Sequence, residues 1–451
     1  MISSSILSAP EQFWLFALIL LFLVDIVRFF YDRDPLAIYQ PPVFVALFMS
    51  YYCIYTPLQR LQTGDWFHNL HDFRYGIGFG WSGAAVFYLS LRIGYHLFRS
   101  FRPYKRFSSD YNALAAQRFG STLCIVGLFL FTIVNGPTVI ALLTPFSVEQ
   151  SAFFGSAGLS VGFLANYGNL AINFLIPGIL LQFASWIKTR RSFVGWSFWL
   201  LIALAIYTSL GFRWRIIVLV LSLILLWFFA RARRPSLVVL SITLISLLLF
   251  AAFVEQTRSY GKGLSLSKAS GLSASTLIES GSQEGSVFLI SGALIASSPS
   301  STPFVGLQPI ISTILFPIPS AIWRDKDSYM YLFNSISYLF RSPAYAIGQA
   351  VLNYAEYYLM FGWPSLVLMG LLSGFLLRCL WNWFTARRHE VLAQVAYICT
   401  CSLLYMWISR GYLPQFILTL AFGSFPLFLY YYRHSYSISA SAQGIAKSVR
   451  L

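Results

Sequence analysis

Apolar runs of about 20 residues, the length at which one α-helix crosses the hydrocarbon of a bilayer, recur along most of the chain. They are continuous rather than alternating, which excludes an outer-membrane barrel built from strands of period two. In lipid every backbone polar group must be satisfied internally, so the remaining solution is an all-α, polytopic integral membrane protein. Composition agrees, since 57% apolar, 18% aromatic and only 10% charged residues over 451 positions exclude an ordinary soluble domain.

Windows of this length predict helices near 12 to 30, 40 to 57, 77 to 97, 119 to 140, 166 to 187, 193 to 210, 214 to 230, 236 to 254, 350 to 377, 391 to 409 and 413 to 432. About 11 transmembrane helices put the termini on opposite sides. The basic connections set the orientation. Arg99, Arg102, Lys105, Arg106 and Arg118 follow the third helix, and Lys188, Arg190 and Arg191 the fifth. Arg231, Arg233 and Arg234 follow the seventh, and Arg378, Arg387 and Arg388 the ninth. These loops read as cytoplasmic. With Arg433, Lys447 and Arg450 they place the C-terminus in the cytoplasm and the N-terminus outside. The net charge of +16 is thus a topological signal, not a nucleic-acid surface.

Three segments follow: an N-terminal transmembrane bundle over 1–254, a large outer loop over 255–349, and a C-terminal transmembrane segment with its tail over 350–451. The first helix lacks a basic n-region and carries Asp25 and Arg28, so it reads as a retained span and not a cleaved signal. Inside the loop, Gly261 to Ser275 is rich in Gly and Ser. Val287 to Ala296 and Ile310 to Trp323 are too short to span and too apolar to float, as expected of short helices in the interface or against the bundle. A loop this long without spans of its own is usually functional.

Small polar patterns offer little. Asp325 and Asp327 form the DxD spacing with which many glycosyltransferases hold a divalent metal, and Asp32 with Asp34 form another; both read first as loop charge. His68, His71 and Asp72 have metal-ligand types but no fourth ligand in view. Cys53, Cys124, Cys379, Cys399 and Cys401 lack metal-ligand spacing. No metal or cofactor is therefore expected.

The arginines on the outer side are more informative. Arg213, Arg215, Arg258, Arg324, Arg341 and Arg410 fall at outer helix ends or in the large loop, where a charge at the bilayer edge is costly without a partner. They either snorkel to lipid phosphates or line a pocket for one anion, and a lipid-linked phosphate suits guanidinium groups.

The residues carry a family resemblance. GFRWRII (Gly211 to Ile217), TRSYG (Thr257 to Gly261), PIPSAIW followed by Arg324, NYAEYYLMFGWPSLVLMG (Asn353 to Gly370) and SRGYLPQF (Ser409 to Phe416) together resemble the Wzy-type polysaccharide polymerases of bacterial envelopes, with the enterobacterial common antigen polymerases as the nearest branch. The similarity covers the C-terminal half best.

The resemblance implies a multi-pass enzyme of the bacterial inner membrane with a large periplasmic loop. It would transfer a growing glycan from undecaprenyl diphosphate to the next lipid-linked oligosaccharide repeat, working beside a flippase and a chain-length regulator. Arg213, Arg258 and Arg410 would be its diphosphate clamps, with Arg215, Tyr260, Arg324 and Arg341 binding substrate. Glu356, a carboxylate in an apolar helix, would be the general base or a structural partner for an arginine. Guanidinium groups can meet the leaving-group charge without a metal.

Other classes use the same features. An O-antigen ligase takes the same lipid donor but relies on a histidine in the outer loop, and this chain has none between His96 and His389. A metal-dependent glycosyltransferase would use Asp325 and Asp327. A transporter or flippase, a non-enzyme, would place basic residues along a path and more usually show two similar halves.

Overall fold

A computed structural model of the chain describes residues 7–32, 34–98, 111–136, 164–211, 213–231, 233–236, 274–318 and 330–434, with isolated positions between 139 and 253. In chain order it forms α1 (Ala9–Tyr31), α2 (Pro41–Ser50), a π-turn (Tyr51–Tyr55), α3 (Thr56–Thr63), a hairpin of β1 (Phe67–His68) and β2 (His71–Asp72), α4 (Ile77–Leu97) and α5 (Ala113–Asn135). There follow α6 (Leu164–Ala171), α7 (Leu175–Thr189), α8 (Phe193–Ser209), α9 (Arg213–Phe229), α10 (Ala274–Ser297), α11 (Gln308–Leu315), α12 (Tyr331–Phe340) and α13 (Pro343–Ala346). The C-terminal elements are α14 (Asn353–Phe361), α15 (Trp363–Thr385), α16 (Val391–Ser409) and α17 (Leu413–Gly423).

Among the described residues the hairpin is the one sheet, and seven helical stretches are long and apolar enough to cross a membrane: Ala9–Val27, Pro41–Thr63, Ala113–Asn135, Tyr167–Thr189, Trp363–Thr385, Val391–Ser409 and Leu413–His434. The protein is all-α and membrane-embedded. Pro41 and Pro42, which dilute the second apolar run, occupy the first turn of α2, where a missing N–H leaves no hydrogen bond unmade. The run expected at 350 to 377 breaks at Gly362, whose φ of 75° and ψ of −145° suit a residue without a Cβ, so α14 and α15 are separate helices. Most of the run at 236 to 254 lies outside the described residues.

The chain divides into two compact units. The first comprises 1–101, 273–381 and 404–417, and α4 is its axis. Small residues let backbones meet there, as they do between membrane helices. A Cβ on Gly94 would lie 2.2 Å from the Leu371 carbonyl oxygen, one on Gly374 2.0 Å from that of Leu91, and one on Gly292 2.2 Å from that of Gly76. α4 therefore touches both α15 and α10. Val287 to Ile295, within the run expected as a short helix, is the buried half of α10, packed on α4 and α14. Asp25, 4% exposed, pairs with Arg92 at 2.7 Å and accepts a hydrogen bond from the Tyr88 hydroxyl at 2.7 Å, joining α1 to α4. A charge in an apolar core requires such partners.

The second unit comprises 102–272, 382–403 and 418–451. α5 packs on α7, with a Cβ on Gly120 falling 2.6 Å from the Gly178 carbonyl oxygen. Trp186 and Trp227 stack at 5.7 Å, the Arg190 guanidinium lies 5.3 Å from the Trp186 ring centre, and that of Arg231 lies 3.3 Å from the Trp227 ring centre. Two arginines of the basic connections are thus fixed on aromatic faces.

Candidate functional site

In the first unit three segments converge on α14. Before the helix the chain runs through Val351 and Leu352, and the Leu352 N–H donates to Ser291 Oγ of α10 at 2.7 Å. The turn from α16 into α17 lies against the same stretch, with the Gly411 N–H donating to the Val351 carbonyl at 2.7 Å. Gly411 is required there, because a Cβ would sit 2.7 Å from the Leu352 carbonyl group and 2.8 Å from Asn353 Cα. The turn places Arg410 and Tyr412 on either side of that glycine.

Glu356 lies in the first turn of α14 and is 1% exposed. Its Oε1 accepts the Leu413 N–H at 2.8 Å and the hydroxyl of Tyr331, the first residue of α12. Both donors are neutral and both use the same oxygen; Oε2 makes no hydrogen bond among the described residues. Aromatic rings wall the carboxylate. Tyr331 and Tyr412 lie 5.6 Å apart, Phe316 packs edge-on to Tyr412 at 6.0 Å, and the Trp407 indole N–H donates to Tyr357 Oη at 2.8 Å.

One turn before Glu356 stands Asn353, also 1% exposed, whose Oδ1 and Nδ2 find no hydrogen-bond partner. Each buried polar group left unpaired costs about 1–3 kcal/mol. Arg410 is half-buried, and its guanidinium makes no hydrogen bond or ion pair among the described residues. A carboxylate with a spare oxygen, an amide with a spare donor and acceptor, and a guanidinium on the adjoining turn can together engage a polar ligand that carries both hydroxyl and anionic groups.

The remaining sequence candidates fall elsewhere. Arg341 caps the C-terminal end of α12 at φ 51° and lines a shallow depression of about 430 Å³ with Asn334, Ser337 and Tyr338. In the second unit Arg213 opens α9, its N–H donating to the Gly211 carbonyl at 3.2 Å. Arg215, two residues on, is 6% exposed; its Nε donates to Asn173 Oδ1 at 2.8 Å, and its guanidinium lies 5.7 Å from the Tyr207 ring centre and 5.2 Å from that of Trp214. Protein groups therefore already hold Arg215. Arg258, Tyr260, Arg324, Asp325 and Asp327 lie outside the described residues. Of the expected set, the first unit sets Glu356 against the turn whose sequence includes Arg410.

The histidines of the hairpin are engaged separately. His68 Nε2 bonds Gln349 Oε1 at 3.0 Å, and His71 Nδ1 bonds the Asn69 carbonyl at 2.8 Å. Burial pushes His68 below its ordinary value, with Arg60 adding to the shift and the Gln349 bond and Asp65 opposing it. Asp32 and Asp34 each accept a backbone N–H two residues on, at 3.0 Å, which makes their spacing a turn device. No cluster of metal-ligating side chains forms among the described residues.

Asn353, Tyr331 and Tyr412 escaped the sequence reading. Asn353 had a local signal, since a residue three positions before a buried carboxylate shares its helix face. Tyr331 had none, because its contact with Glu356 joins segments 25 residues apart in the chain. Comparison with protein-family models, curated proteins and solved structures finds no match to this chain.

Proposed function

We propose that this protein is a membrane glycosyltransferase, a polymerase that joins lipid-linked oligosaccharide repeats at the outer face of a bacterial inner membrane. The observation that carries the reading is the buried Glu356 carboxylate, held through one oxygen by neutral donors, beside the turn that bears Arg410. In the proposed reaction an acceptor sugar hydroxyl attacks the anomeric carbon of the growing chain. Its proton passes to Glu356 Oε2 as the carbon–oxygen bond to the diphosphate breaks. Undecaprenyl diphosphate leaves with that electron pair, and Arg410 meets the charge that develops on it.

Within this reading Arg213 and Arg258 are further diphosphate ligands, Tyr260, Arg324 and Arg341 contact the glycan, and about 11 spans place these groups on one side. A flippase supplying the lipid-linked repeat and a chain-length regulator are the implied partners. The test is a chain-length ladder from cells carrying Glu356→Gln or Arg410→Ala. Chains are expected to stop at single repeats while the protein accumulates normally. Normal ladders from both variants would refute the assignment.

A further inference from the structure

Asn353 has no role in the reading above, yet one turn before Glu356 it is a buried side chain whose amide donor and acceptor both lack partners. It shares a helix face with Glu356, as residues three apart do. Its backbone is pressed by Gly411, in the turn that also supplies the Leu413 N–H to Glu356. An amide presenting one donor and one acceptor is complementary to a pair of neutral polar groups on adjacent carbons, and it offers nothing special to a phosphate. The Tyr331 and Tyr412 rings beside Glu356 supply apolar faces against which the C–H side of a sugar ring can lie.

We infer that Asn353 is the residue that reads the acceptor sugar, binding the neutral substituents next to the hydroxyl that faces Glu356. The inference rests on the polymerase reading and deepens it: arginines hold the diphosphate of the donor, and the amide selects the acceptor. It also gives the turn Ser409–Leu413 a task. Gly411 lies against the backbone of Leu352 and Asn353 without room for a methyl group, and in this proposal the turn moves aside to admit the sugar. Moving the turn withdraws the Leu413 N–H from Glu356 in the same movement.

The test uses purified full-length protein in detergent with Asn353→Leu, a substitution of similar volume that removes both unpaired polar atoms. Asn353→Asp, which keeps the acceptor and loses the donor, serves as the second variant. Two measurements are made: thermal unfolding, with and without undecaprenyl-diphosphate-linked single repeats, and chain growth as the concentrations of acceptor and donor are varied independently. Asn353→Leu is expected to melt at or above the wild-type temperature and to respond more weakly to the single repeat. The acceptor KM of both variants should rise by about tenfold or more, with the donor KM unchanged.

A lower melting temperature for Asn353→Leu with an unchanged acceptor KM for Asn353→Asp would make the amide structural and overturn the inference. Unchanged acceptor KM values in both variants, with Glu356→Gln and Arg410→Ala still blocking growth, would overturn it while leaving the polymerase reading intact. Normal growth in all four variants would overturn both.

Discussion

Replacing Arg410 and Arg215 separately by alanine divides chemistry from architecture, because the two arginines sit in opposite circumstances. The Arg410 guanidinium makes no hydrogen bond or ion pair among the described residues, so its loss should change stability by no more than about 0.5 kcal/mol, the usual range for a substitution that breaks no partner. If it meets the diphosphate in the transition state, its loss should cost about 3–4 kcal/mol of barrier, a rate reduction on the order of 10²- to 10³-fold. Arg215 is 6% exposed and bonded to Asn173 at 2.8 Å. Truncating it forfeits a charged hydrogen bond worth about 1.5–3 kcal/mol. It also forfeits contacts with Tyr207 and Trp214, worth about 0.5–2 kcal/mol. The carboxamide of Asn173, 0% exposed and with Nδ2 already unpartnered, then loses its bond as well. Tryptophan-fluorescence melting of the purified variants measures one side, and the glycan ladder measures the other. Arg410→Ala should melt like wild type and fail to extend chains; Arg215→Ala should melt clearly lower. An Arg410→Ala protein that melts as low as Arg215→Ala, or that makes full-length chains, would refute the division.

Three further outcomes follow. A reporter fused after Ser282 should read as outside the cytoplasm and one after Arg388 as inside; the reverse at either site would invert the orientation drawn from the basic loops. Gly374→Leu forces a side chain into the Leu91 carbonyl, 2.0 Å from the first added carbon, and should sharply lower accumulation in the membrane, whereas equal accumulation would show that α4 and α15 can separate freely. His68 titrates below its ordinary 6.5, so as pH falls through that value the unfolded chain takes up protons before the folded one does. Stability should therefore fall below about pH 6.5 and level off under the folded pKa. Melting curves at several pH values should show this decline in wild type and lose part of it in His68→Gln.

The helices were legible because an apolar run long enough to span lipid leaves the backbone little choice. The run expected at 391 to 409 is α16 to the residue, and the one at 77 to 97 is α4. The signal failed where tertiary packing decides. Val287 to Ile295 is a short apolar run by sequence, yet it continues a longer helix into the core because Gly76, Gly80 and Gly83 of the adjoining stretch open a surface for it. Within the site, Glu356 and Arg410 stood out because charge in an apolar setting is rare. Tyr331 and Tyr412 did not, because tyrosine is abundant in this chain and only the fold selects the ones that face Glu356. Arg215 looked like its neighbour Arg213 by position alone, and only the facing Asn173 distinguishes it.

The bond from Leu413 to Glu356 also imposes an order on biosynthesis. Tyr331 and Glu356 leave the ribosome well before the turn that carries Arg410, Gly411 and Leu413, since the chain is made from its N-terminus. Until those residues are translated, the carboxylate lacks its backbone donor and the Leu352–Asn353 backbone lacks the glycine that packs on it. A chain stalled before residue 409 would hold Glu356 without the Leu413 N–H. The candidate site is thus complete only once the turn before α17 has been made, more than 50 residues after Glu356.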